Sequence, residues 1–127
     1  MQKLLTKSIL SKLPPLESTD DLPPEAIIIP CCFFLPGTSW SWYPFEFDGQ
    51  DTFFGLVQGL YVELGYFTLE ELTRRKGSFG LSVERDKFFI PCSLTELRKR
   101  IKKNVFKPLN DDGCIYTLIS IRRLKDT

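Results

Sequence analysis

Residues 40–65 read WSWYPFEFDGQDTFFGLVQGLYVELG, two aromatic runs placed on either side of Asp48-Gly49. An Asp-Gly pair between alternating apolar residues is a strong hairpin signal, so Trp40–Phe47 and Phe53–Gln58 are expected to be paired strands. Side chains two apart share a face of a strand. That period sets Trp40, Trp42, Pro44, Glu46 and Asp48 on one side and Ser41, Tyr43, Phe45 and Phe47 on the other. With Phe45 and Phe47 as the core side, Glu46 and the two tryptophans are expected to face a groove or solvent. Exposed indole rings there would mark a contact surface.

Outward from this hairpin, Ala26–Leu35 reads as a buried strand, with Pro36-Gly37-Thr38 as the turn that follows. Residues 3–12 carry apolar side chains at helical spacing until Pro14-Pro15 stops them. Residues 14–25, PPLESTDDLPPE, have the composition of an extended, solvated connector. Thr68-Leu-Glu-Glu71 is a capping box that should open a helix ending near Gly77, and Ser93-Leu-Thr-Glu96 repeats the pattern. The second helix places Leu94, Leu97, Ile101 and Val105 on one face. Leu81–Val83 and Lys87–Ile90 read as strands joined by a turn at residues 84–86, and Cys114–Leu124 as a last strand within a tail, 105–127. The sum is an α+β single domain: a mostly antiparallel sheet of about five strands flanked by two or three short helices.

Composition narrows the chemistry. The chain has 127 residues, a formal charge of +1 and 43% hydrophobic residues, which suits one folded domain and excludes a generally basic nucleic-acid binder. It contains no histidine, so Ser-His-Asp and Cys-His nucleophile systems are absent. Four cysteines without a CxxC pair argue against zinc and read as reduced thiols, Cys31 and Cys32 as small apolar residues in a strand. No apolar run is long enough to span a bilayer and the N-terminus lacks the form of a secretory signal, so a cytoplasmic protein with no membrane association is expected.

Glu46, Asp48 and Asp51, with Glu84 and Asp86, supply oxygen ligands of the kind a magnesium-dependent nuclease needs. The plainer reading gives these carboxylates to turns and surface pairs, and it is favoured because the spacing matches no ligand loop. Trp40, Trp42, Tyr43, Phe53 and Phe54 would suit base stacking, but no basic residues interleave with them. Arg98, Arg100, Lys102 and Lys103 form a second, basic surface, which most simply is the solvated side of an amphipathic helix.

Five segments resemble those of a small bacterial protein family, domain of unknown function 2958: LLTKSILSKLPPL, WxWY at Trp40–Tyr43, EFDGxDTFFGLV at Glu46–Val57, ELGYFTLEEL at Glu63–Leu72 and GxFGLxxERDxxF at Gly77–Phe89. The resemblance implies carriage on plasmids, phages and integrating elements; it implies no activity. Residues 105–127 and the Cys31-Cys32 pair depart from the family pattern. The expectation is therefore a non-enzymatic interaction or regulatory module without a cofactor. It would bind a protein partner through Trp40, Trp42, Tyr43, Glu46, Asp48 and Asp51. A metal-dependent enzyme acting on nucleic acid and a single-stranded nucleic-acid binder are the alternatives.

Overall fold

A computed structural model describes residues 3–106. Its centre is a meander of three seven-residue strands: β3 (Ser41–Phe47), β4 (Thr52–Gln58) and β5 (Val62–Thr68). The Asp48-Gly49 turn joins the first two as its sequence requires, with Gly49 at φ 87°, a left-handed conformation that glycine adopts without steric cost. Strands β4 and β5 pair without interruption from Thr52↔Thr68 to Gln58↔Val62. Two short strands, β2 (Phe33–Phe34) and β6 (Glu84–Arg85), complete an antiparallel sheet in the order β5-β4-β3-β2-β6. A separate two-stranded ladder pairs β1 (Ile28–Ile29) with β7 (Cys92–Ser93).

Both faces of the sheet are covered. On one, Phe33, Leu35, Trp42, Phe47, Phe53 and Phe67 pack against Leu4 and Leu5 and against Leu72 of helix α2 (Leu69–Arg74). On the other, Phe45, Leu56 and Val62 pack against Ile27, Ile29 and the Leu94, Leu97 and Ile101 face of helix α3 (Leu94–Phe106). Fully burying each such side chain is worth about 1.5–3 kcal/mol, so two half-cores sandwich the meander. The capping box forms as read: the Thr68 hydroxyl accepts from Glu71 N at 3.0 Å and Glu71 Oε1 accepts from Thr68 N at 3.0 Å.

The strict two-residue alternation fails inside β3. The register moves from Pro44↔Gly55 to Glu46↔Phe54, so Phe45 is an extra, bulged residue. Trp42, Pro44 and Phe47 consequently share one face, while Tyr43, Phe45 and Glu46 share the other. Phe45 and Phe47 thus serve different cores, and the expected common face of Trp42 and Glu46 does not exist.

Other expectations are corrected too. The run Ala26–Leu35 is not one strand: Pro30, which has no amide to give a ladder, marks the crossing from the small ladder to the main sheet. Cys31 and Cys32 lie buried in that crossing and not in a strand. Residues 84–85 form a strand and not a turn, because their backbone pairs with Phe34 and Phe33. The turn falls later, where Asp86 Oδ1 accepts from Phe88 N at 2.9 Å. The N-terminal helix α1 spans only Lys7–Leu10, capped by Thr6. Residues 14–25 are wound into successive turns, with Ser18 N bonded to Pro15 O, Asp20 N to Glu17 O and Leu22 N to Thr19 O. The strand read at Cys114–Leu124 lies outside the described residues, as does most of the tail.

Candidate functional site

Four of the five carboxylates of the expected acidic site, those of Glu46, Asp48, Asp51 and Asp86, hold backbone in place. Glu46 is 1% exposed and accepts from Glu17 N at 2.8 Å, from Thr19 N at 3.1 Å and from the Thr19 hydroxyl. It anchors the turns of residues 14–25 onto the sheet, where Glu17 takes a left-handed φ of 70°. Asp48 Oδ1 accepts from the amides of Gln50, Asp51 and Thr52 at 2.8, 2.8 and 3.0 Å. The Gln50 and Asp51 amides hold the Asp48 carboxyl below its ordinary range. Asp51 Oδ1 accepts from Glu70 N at 2.9 Å and its carbonyl from Leu69 N at 2.8 Å, capping the start of α2. Glu84 lies in β6 and Asp86 caps its own turn, so the five carboxylates are not brought together. Among the described residues, no group of three His, Cys, Asp or Glu side chains is placed to hold a metal ion.

The aromatic half of the site does come together. Trp40 and Trp42 stack with ring centroids 5.9 Å apart, and the Arg75 guanidinium lies 4.8 Å from the first ring and 5.6 Å from the second. A cation over an indole contributes about 0.5–1 kcal/mol at an exposed position. Trp42 is 3% exposed and belongs to the core. Trp40 is half-buried and rests on Gly59, where an added Cβ would stand 2.5 Å from the indole Cη2. Its outer side borders a groove of about 340 Å³ shared with Val57, Leu60, Tyr61, Glu63 and Tyr66. Leu60 is 77%, Tyr61 46% and Tyr66 63% exposed. Three exposed large apolar side chains around one indole are uncommon on a sheet that is otherwise covered.

Tyr43 lies on the opposite face, its ring 6.0 Å from that of Phe89 and its hydroxyl 3.3 Å from Gln58 Oε1. Burial raises its pKa, with Cys32 nearby adding to the effect. Burial likewise pushes the thiols of Cys31 and Cys32 up to about 12, which keeps them protonated and unreactive.

The basic helix is also partly absorbed by structure. Arg98 borders an apolar pocket with Leu64, Phe45 and Leu94, and desolvation lowers its pKa. Arg100 donates to Ile90 O at 3.2 Å, pairs with Glu96 at 3.5 Å and lies 5.9 Å from the Phe89 ring. Lys102 is half-buried, and the Lys103 side chain lies outside the described set. Arg100 is thus tied to the Ile90 carbonyl, Glu96 and Phe89, and Arg98 to a largely apolar surround.

Sequence reasoning missed β5 and with it Tyr66, Leu60 and Tyr61. The signal was present as Val62, Leu64 and Tyr66 at alternate positions, but Gly65 and Glu63 broke the apolar pattern on the other face.

Fold and site together define a small α+β domain with a covered sheet, structurally committed carboxylates and an aromatic groove at one sheet edge. The chain belongs to the family described as protein of unknown function (DUF2958), whose model matches residues 5–103. No curated protein and no solved structure matches the chain. Among the described residues, no helix is long and apolar enough to cross a membrane.

Proposed function

We propose that this protein is a non-enzymatic interaction module that binds a protein partner through the groove centred on Trp40, in keeping with a regulatory role on a mobile element. The observation that carries this reading is the division of labour among the expected site residues. The carboxylates of Glu46, Asp48 and Asp51 are spent on backbone amides, whereas the outer side of Trp40 opens on Leu60, Tyr61 and Tyr66. A rigid aromatic anchor beside exposed apolar side chains, with few cations interleaved, suits a protein surface better than a phosphate backbone. Trp40 is stiffened from behind by Trp42 and Arg75, so little side-chain entropy is lost on contact.

Affinity capture from the native host tests this reading with Trp40→Ala and Leu60→Ser, each checked for an unchanged circular dichroism spectrum. Loss of a specific partner in both variants supports it. A partner retained by both overturns it. Calorimetric titration with magnesium or manganese addresses the enzymatic alternative, since binding abolished by Asp48→Asn and Asp51→Asn would replace this reading with a metal-dependent one.

A further inference from the structure

Among the described residues, β5 is paired on one side only and its outer edge carries no strand. Gly59 N bonds to Tyr61 O at 3.0 Å and Leu69 N to Asp51 O at 2.8 Å, which fixes the antiparallel pattern at both ends of the β4–β5 ladder. The odd-numbered residues of β5 therefore exchange hydrogen bonds with β4, and the amides and carbonyls of Val62, Leu64 and Tyr66 point away from it. Edges of this length are ordinarily blunted by charged side chains, proline or a bulge, and β5, VELGYFT in unbroken register, has neither proline nor bulge and a single charge, Glu63.

We propose that the occupant of this edge is a second copy of the chain, joined by antiparallel β5–β5 pairing about a two-fold axis at Leu64. The edge is its own complement in that register. Val62 falls opposite Tyr66 of the second copy, Leu64 opposite Leu64 and Tyr66 opposite Val62, so each outward amide named above meets a carbonyl of the second copy and each outward carbonyl an amide. On the α3 face the three apolar side chains of each copy form one continuous row. There Tyr66, 63% exposed and in ring contact with Phe54, gains a partner. On the other face Glu63, the strand's single charge, falls opposite Gly65 of the second copy and not opposite another carboxylate. Gly65 offers room for it, since nothing lies within 4 Å of an added Cβ there. Because Gly65, Glu63 and Tyr66 also border the Trp40 groove, pairing would bring a residue of the second copy to that groove's mouth.

Sedimentation velocity on the full chain tests the pairing, over a concentration range from about 1 to about 200 µM to span ordinary dimer affinities. A reversible monomer–dimer equilibrium is expected, weakened at least about tenfold by Tyr66→Lys, which places a charge on the edge. Leu64→Pro removes an outward donor that β4 does not use, and it should act similarly wherever circular dichroism shows the fold intact. Leu81→Lys, at an exposed apolar residue away from β5, should leave the equilibrium unchanged. A monomer at every concentration overturns the proposal, whether the edge stays open or is taken by residues 107–127. A dimer indifferent to Tyr66→Lys and to a folded Leu64→Pro overturns it equally.

Discussion

At the scale of single residues, Glu46 and Asp48 differ in what their hydrogen bonds protect. Glu46 is buried and satisfies three donors, so Glu46→Ala leaves two amides and a hydroxyl unpaired in the interior. Loss of about 3 kcal/mol is expected in guanidinium unfolding, together with faster amide exchange over residues 14–22 than elsewhere. Asp48 is exposed, and its effect appears with pH. Its folded pKa is depressed below the unfolded value of about 3.9, so its contribution is present above that pH and is lost as pH falls through the lower folded value. The stability gap between the native chain and Asp48→Ala, measured by urea unfolding across a pH series, should be widest near neutrality and close in acid. The cysteines give a third check. With thiols raised to about 12, Cys31 and Cys32 should resist iodoacetamide at mildly alkaline pH until the chain unfolds, as read by mass spectrometry. Cys92, less deeply buried and raised less, should react sooner.

At the scale of elements, the bulge at Phe45 decides which residues meet. The strands pack closely beside it: an added Cβ on Gly55 would stand 2.6 Å from Pro44 Cα and closer still to the Tyr43 carbonyl. Gly55→Ala should therefore cost several kcal/mol, of order 3, by forcing β3 and β4 apart beside the bulge. Gly65→Ala, directly across the ladder from it, meets open space and should change stability by less than about 1 kcal/mol. Thermal unfolding of the two variants separates these outcomes. The Asp48-Gly49 hairpin, the capping box at Thr68 and the apolar face of α3 were all legible in the sequence, because each is written in residues close together in the chain. The bulge was not, since it is a shift of register between two strands, from Pro44↔Gly55 to Glu46↔Phe54, and not a pattern within one segment. The fate of Pro30 was equally hidden: a run of ten largely apolar residues reads as one strand until two different partners, β7 and β3, divide it.

At the scale of the whole molecule, a sheet covered on both faces leaves few places for a partner, and the groove and edge around β5 are where apolar side chains and outward backbone groups coincide. The aromatic and acidic residues of 40–65 were legible as a concentrated feature, but their sorting into anchor, core and cap depended on contacts with Glu17, Thr19, Glu70 and Arg75, all distant in sequence. The most direct measurement is quantitative partner capture, normalised to folded protein, compared between Asp48→Ala and Leu60→Ser. Capture by Asp48→Ala should equal that of the native chain, and capture by Leu60→Ser should fall at least about tenfold, the loss of roughly 1.4 kcal/mol at an exposed apolar contact. Undiminished capture by Leu60→Ser with loss in Asp48→Ala would contradict a partner surface built on the Trp40 groove.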